Sequence, residues 1–408
     1  MKRAGAQPKK WSVMVYMAGD NSLDPEGNMD LKEMKRVGST PDVNIVAEFD
    51  RATGHVAKRY YLRKGGTVDA DAVASLGKVN TGDPKCLIDF IHWGVKTYPA
   101  EHYLLVLWNH GQGWDDTDIY AGERHRSLRR LATGPIRHAL FHTAVQRTLN
   151  RAKTDYEARA ILLDDDAKDF LDNHEMKAVL ADMAGLLKRK LDILGMDACL
   201  MSMAEVAYQF HDSANYTVGS EQTEPGAGWP YNTILGALAK NPGMAPLDLS
   251  KLIVNNYLAS YTSNDGVTYS ACDLSKVDAL ATAVAGLATA LKAGLSNHDT
   301  RQRIMTARTQ VQCYEVPDNI DLVDFCSLLT GSGVTPAVAT ACHNVTQAVN
   351  SSYVITQGYK GAGLKNSHGV AIYFPTQAVS PLYAGLDFSQ KTGWDAFLKA
   401  YLASVRSR

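Results

Sequence analysis

The feature that most constrains this fold is HYLLVLW at residues 102–108, apolar at consecutive positions and broken off by Asn109-His110-Gly111. A strand with one wet face alternates apolar and polar residues. An unbroken apolar run this short therefore reads as a strand buried on both faces, as in a parallel sheet. WSVMVYMA (11–18), VNIVAEF (43–49), LDILGM (191–196) and NYTVGS (215–220) read as further strands. Between them CLIDFIHWGVKTY (86–98), HEMKAVLADMAGLLKRK (174–190) and MSMAEVAYQF (201–210) carry apolar residues at helical spacing. This rhythm predicts an open α/β sheet with helices on its faces. From about residue 246 helical patterns follow one another, interrupted only by VTYSACDL and GVAIYFP. The expected organisation is an α/β domain over 1–270, with 122–172 as an insertion, and a mainly helical C-terminal subdomain over 271–408 packed on it.

Charge and composition exclude several classes of function. The 408 residues carry 42 Lys and Arg against 43 Asp and Glu, a formal charge of −1, so no global field draws the chain to nucleic acid or to an anionic membrane surface. No run reads as long enough to span a membrane. Six scattered cysteines without CxxC pairs read as free thiols of a reducing compartment rather than a disulfide framework or zinc site. The start, MKRAGAQPKKWSVMVYMAGD, has only a short, strand-like apolar stretch and makes a poor signal peptide. The chain as given is expected to be cytoplasmic, and secreted if an export segment has been removed from it.

Loops at the carboxyl ends of the strands form the binding crevice of an open α/β sheet. Three segments meet there: Gly19-Asp20-Asn21, Asn109-His110-Gly111 and Asp197-Ala198-Cys199. The last two bring a His and a Cys to one edge, the pairing that nucleophilic cysteine catalysis needs. Cys199 precedes MSMAEVAYQF, so it is expected near a helix N-terminus, where the dipole and free N–H groups favour thiolate. Its amide points where an oxyanion would form, and Gly111 leaves room for a substrate carbonyl. Spacing alone leaves open a buried structural cysteine and a strand-end histidine. Cys272, at the end of VTYSA, is a rival nucleophile, whereas His368-Gly369 precedes its strand and is expected at the opposite edge. No cluster has zinc spacing, and no GxxxxGK[ST] or GxGxxG follows a strand.

WNHGQGW (108–114), DILGMDACLMSMAEVAY (192–208) and SEQTEPGAGWPYN (220–232) strongly resemble the clostripain family of cysteine endopeptidases, relatives of the gingipains, legumains, caspases and separases. So do WSVMVYMAGDNSLD (11–24), the stretch 82–108 and HGVAIYFP (368–375), in the family's order over nearly the whole chain. The resemblance implies a caspase-like α/β/α sandwich with a largely parallel central sheet. It implies His110 and Cys199 as a catalytic dyad, and the backbone N–H groups of Gly111 and Cys199 as the oxyanion hole. It also implies protein or peptide substrates with a basic residue before the scissile bond, which need a partly buried carboxylate to pair with. Asp197 matches the family's position for that role, Glu224 ranks second, and Glu221 belongs either to the pocket wall or to a surface loop.

Family members are commonly zymogens that cut themselves between the His and Cys strands. Here that stretch, 122–159, is strongly basic and runs into the acidic ILLDDDAKDFLDN. Arg124, Arg126, Arg129, Arg130 and Arg137, with Lys168, are the candidate cleavage sites. Two departures stand out: this insertion is longer and more basic than the family's, and Asn109 replaces a frequent Asp. Thiol acyl transfer needs no organic cofactor. Some relatives depend on calcium, for which Asp20, Asp24, Asp115, Asp116 and Asp118 are oxygen donors without EF-hand spacing. Two other classes share these motifs: a catalytically silent scaffold that binds a protein, and a transpeptidase or ligase working through the same acyl-enzyme.

Overall fold

The computed structural model describes residues 8–109, 111, 113–114 and 171–406. Five parallel strands form its centre: β1 (Lys9–Gly19), β2 (Val43–Arg51), β5 (Ala100–Trp108), β6 (Leu191–Asp197) and β7 (Ala214–Gly219). All five contain the apolar runs read from the sequence. Antiparallel strands extend both sides: β3 (Ala57–Tyr61) and β4 (Ala72–Gly77) beyond β2, β8 (Val267–Asp273) and β10 (Val354–Lys360) beyond β7. The nine strands run β10-β8-β7-β6-β5-β1-β2-β3-β4. A separate two-stranded ribbon pairs β9 (Asn319–Asp321) with β11 (Ala371–Tyr373). The unforeseen strands β3, β4 and β10 are largely half-exposed, so their sequences (AKRYY, AVASLG, VITQGYK) lack the apolar run that marks a central strand.

Side-chain parity divides the core. On β5, Leu105 and Leu107 face one core while Leu104, Val106 and Trp108 face the other. The first face is covered by α2 (Pro84–Thr97), α3 (Asn173–Leu187), α4 (Ala204–Phe210) and the later C-terminal helices. The second is covered by α1 (Asp24–Val37), α5 (Tyr231–Lys240) and α6 (Pro246–Ser260). Local chemistry sets the helix starts. The Asp83 side chain accepts from Lys85 N and Pro84 opens α2, and Asp172 with Glu175 forms a capping box on α3. The sandwich is thus α/β/α, with helices on both sides of a mostly parallel sheet.

The boundary expected at 270/271 falls inside β8, and β10, from the C-terminal part, is the sheet's edge strand, so one sheet runs through both parts. The remaining C-terminal helices are α7 (Val277–Gly294), α8 (His298–Gln310), α9 (Leu322–Thr330), α10 (Pro336–Ala348), α11 (Asp387–Thr392) and α12 (Trp394–Arg406). One reading needs correction. The helical stretch Leu274–Gly294 is long and apolar enough to cross a membrane by length and composition. Its alanines supply that apolarity, and here its Val277, Leu280, Val284, Leu287 and Leu291 are buried in the core against α10 and α12.

Candidate active site

The register of the central strands sets the site. Trp108 and Asp197 end β5 and β6 side by side, and Asn109 N–H donates to Asp197 O at 3.1 Å. Cys199 lies two residues further on, in a turn whose next residue, Leu200, is buried with φ +63°. A left-handed branched residue costs of order 1–3 kcal/mol and persists only where its surroundings fix it. Here Leu200 N–H donates to Gln222 O (3.1 Å) and Ser202 N–H to Ser220 O (2.9 Å), lacing the turn to the loop after β7. Gly111 lies against the same turn: a Cβ there would sit 2.3 Å from Cys199 O, so no other residue fits without displacing the Cys199 backbone.

The thiol is 6% exposed. Its sulfur accepts from Glu224 N–H at 3.2 Å and from the backbone of Gly111, and its S–H points to Glu224 O at 3.9 Å. Burial, then the nearby Glu224 carboxyl, push it up to about 12, against the pull of the two amides. This corrects the expected thiolate. The helix foreseen just after Cys199 begins only at Ala204, so its dipole does not reach the sulfur and desolvation dominates.

Asp197 shares the parity of Ile193 and points to the α1/α5 face. It is buried, accepting from Tyr231 OH (2.8 Å) and Trp229 N–H (3.3 Å). Gly228, at φ +53°, brings the next loop so close that a Cβ would meet Asp197 Oδ1 at 2.8 Å. Burial raises Asp197 to about 7, with the Tyr231 and Trp229 hydrogen bonds opposing. Glu224, raised well above the ordinary carboxyl range by burial and then by Asp197, faces Ala198 N–H and Tyr257, yet neither of its oxygens has a partner at hydrogen-bonding geometry. Asp197, Cys199 and Glu224 line one cavity of about 460 Å³ with Glu26, Trp108, Asn109, Pro225 and Gly228. Behind its wall, Trp108 Nε1 donates to Asp30 at 2.7 Å, and burial, then Asp197, raise Asp30 to about 9. No Lys or Arg lines this cavity among the described residues.

The other expectations divide. Cys272 lies within antiparallel β8, paired with Thr217, buried and pushed up to about 12 by burial, so it does not reach the carboxyl edge. His368-Gly369, expected at the opposite edge, lies near the carboxyl ends instead: Gly369 O accepts from Ser202 and Ser270, and Gly369 N–H donates to Glu221 Oε1. Its following strand belongs to the β9–β11 ribbon and not to the main sheet, which is why strand polarity misplaced it. Glu221 therefore turns away from the cavity. His110, Arg124, Arg126, Arg129, Arg130, Arg137 and Lys168 lie outside the described residues, as do Asp115, Asp116 and Asp118. Asp24 is bound by Arg51 and Thr53, and Asp20 by His55. Among the described residues no group of three or more His, Cys, Asp or Glu side chains is placed to hold a metal ion.

Sequence reasoning missed Glu26, Asp30, Trp108, Tyr231 and Tyr257. Helix α1 buries Asp24, Asp30 and Lys35 among few apolar residues, so helical periodicity does not reveal it.

The sequence profile of the clostripain family matches residues 15–140 and 148–401. Clostripain of Hathewaya histolytica is 26% identical over 264 residues, 58% of this chain and 43% of that protein, so the match spans less than half of the relative's length. Two crystal structures share the fold over 95% of this chain. A secreted C11 cysteine protease from Bacteroides thetaiotaomicron, in complex with an irreversible peptide inhibitor, is 21% identical, wholly covered, with a TM-score of 0.65. An inactive zymogen C11 protease from Parabacteroides distasonis is 20% identical, 99% covered, with a TM-score of 0.64. The laced turn at Cys199 and the acidic cavity beside it thus sit in a chain that belongs to the clostripain family of cysteine proteases.

Proposed function

We propose that this protein is an endopeptidase that cuts after Arg, and also after Lys, with Cys199 as nucleophile and His110 as acid–base partner. One observation carries the reading: the Cys199 thiol opens onto the same cavity as Asp197 and Glu224, with no cation among that cavity's described residues. A guanidinium entering it would pair with Asp197 and set the following carbonyl carbon beside the sulfur. Its positive charge would also offset the carboxyls that oppose thiolate formation, so substrate binding helps to ready the nucleophile. The thiolate then attacks the carbonyl, while the N–H groups of Gly111 and Cys199 receive the oxyanion. His110 gives a proton to the leaving amine as the thioester forms, and water hydrolyses the thioester to regenerate the thiol.

The stretch between the two motifs carries Arg124, Arg126, Arg129, Arg130, Arg137 and Lys168, each a substrate for such a site, and a relative of the same fold is described as an inactive zymogen. We read this as self-processing. The secreted relative supports export of this chain as well. The test is a chromogenic Arg-amide assay, with intact-mass measurement of wild type and Cys199→Ala. Wild type is expected to turn over and to yield fragments ending between Arg124 and Arg137, while Cys199→Ala loses activity by at least about 10⁴ and stays whole. No wild-type turnover, even after nicking by trypsin, would refute the reading.

A further inference from the structure

The cavity contains one carboxylate that the family resemblance does not touch. Glu26 lies in the first turn of α1 and lines the same cavity as Asp197, Cys199 and Glu224. Its Oε2 is buried with no hydrogen-bond partner. The 224–228 loop packs against it: a Cβ on Gly226 would lie 3.5 Å from Glu26 Cγ and 3.7 Å from Oε1. The helix that carries Glu26 is held from three sides. Asp24 is bound by Arg51 Nε at 2.7 Å and by Thr53, and one turn beyond Glu26, Asp30 accepts from Trp108 Nε1. Glu26 is thus an acid on the cavity wall beside the loop that carries Glu224, and it makes no ion pair among the described residues.

We infer that Glu26 is a second recognition carboxylate of the specificity pocket, and that it selects Arg over Lys. This rests on the endopeptidase reading above. A guanidinium is a flat fork with five N–H donors directed to several sides, so it can bond Asp197 on the floor and Glu26 on the wall together. An ammonium is a compact point charge with three donors, and once paired with Asp197 it gains little from a second acid. No Lys or Arg among the described residues lines the cavity, so a guanidinium displaces no internal cation to pair with Glu26.

The test measures kcat/KM of the full-length protein and its Glu26→Gln variant on matched Arg- and Lys-amides. Glu26→Gln is expected to lower the Arg value about tenfold and the Lys value by no more than about twofold, so that selectivity collapses. An unchanged ratio overturns the inference while leaving the protease intact. A second arm needs no turnover. Butylguanidinium and pentylammonium are titrated by NMR into Cys199→Ala with and without Glu26→Gln, and loss of butylguanidinium binding alone supports the assignment. Equal affinities in both backgrounds refute it, even if the wild type proves inactive. Thermal unfolding checks the fold, which Glu26→Gln should leave unchanged because Glu26 Oε2 has no hydrogen-bond partner among the described residues.

Discussion

Two buried acid pairs flank the loop after β7, and they are built in opposite ways. Glu221 and Asp321 are closed by the protein. Tyr314 OH donates to Glu221 Oε1 (2.7 Å) and lies 3.3 Å from Asp321 Oδ2, while Gly369 N–H donates to Glu221. His368 gives both its N–H (2.6 Å) and its Nδ1 (2.9 Å) to Asp321. Asp197 and Glu224, a few residues away, have each other and hydroxyl and amide neighbours but no cation among the described residues, and neither Glu224 oxygen has a partner at hydrogen-bonding geometry there. A buried charge is costly unless paired, so the closed pair reads as architecture and the open pair as a receptor for a positive group. Burial alone does not separate them; the neighbouring donors do.

The largest contrast should come from removing one acid of each pair. Asp197→Asn is expected to lower kcat/KM on an Arg-amide by about 10²–10³ through the lost charge pair, with little change in stability, because Asn still accepts from Tyr231 and Trp229. Asp321→Asn should do the reverse. Leaving the His368 and Tyr314 donors poorly matched costs about 3 kcal/mol of folding stability, while the intrinsic chemistry at Cys199 persists in the folded fraction. Denaturant unfolding and steady-state kinetics on both variants decide it. The comparison breaks if Asp321→Asn loses activity without losing stability.

Next comes pH. Asp197 and Asp30 have folded values of about 7 and about 9, both raised from an ordinary 3.8, so the folded state holds these protons longer than the unfolded chain does. Their contribution to stability is therefore fully present below about pH 4 and is lost as pH climbs toward about 9. Thermal unfolding of Asp30→Asn, which keeps an acceptor for Trp108, should fall less steeply across that range than wild type. Cation binding has the opposite sense: butylguanidinium should bind Cys199→Ala more tightly as pH rises through 7, because Asp197 must lose its proton to pair. His368 contributes with the same sign as the raised acids. Asp321 raises it above 6.5, so its contribution is full below that value and fades as pH rises past its folded value. A binding curve flat between pH 5 and 8 would remove the pocket from the role of receptor.

How much of this was legible in the sequence follows from what each residue is buried against. Strands β1, β5 and β6 were readable because burial on both faces leaves a nearly unbroken apolar run, and β2 and β7 because their stretches are rich in β-branched and aromatic residues. Asp197 and Cys199 followed from position after a strand, and Gly111 from its place after His110. Glu26 on the cavity wall and the residues behind that wall were not readable. Glu26 and Asp30 sit on a helix that buries charge, and Tyr231 and Tyr257 come from α5 and α6, far away in sequence. The Cys199 thiol was misread because the turn that holds it delays α4 by three residues, from 201 to 204, and only the backbone path, with Leu200 at positive φ, records that delay.

The smallest expected effect is also the most discriminating for the closed pair. Glu221 is raised well above the carboxyl range, by burial first and then by Asp321, which favours its neutral form. Glutamine has the same shape and the same pattern: an oxygen to accept from Tyr314 and Gly369, and an N–H to give to Asp321. Glu221→Gln should therefore cost less than about 1 kcal/mol, whereas Glu221→Ala, which orphans Tyr314 and Gly369 N–H, should cost at least about 2. Paired urea unfolding curves separate the two. If glutamine proves as damaging as alanine, Glu221 carries a charge in the folded protein, and the distinction between a closed pair and an open one fails at its root.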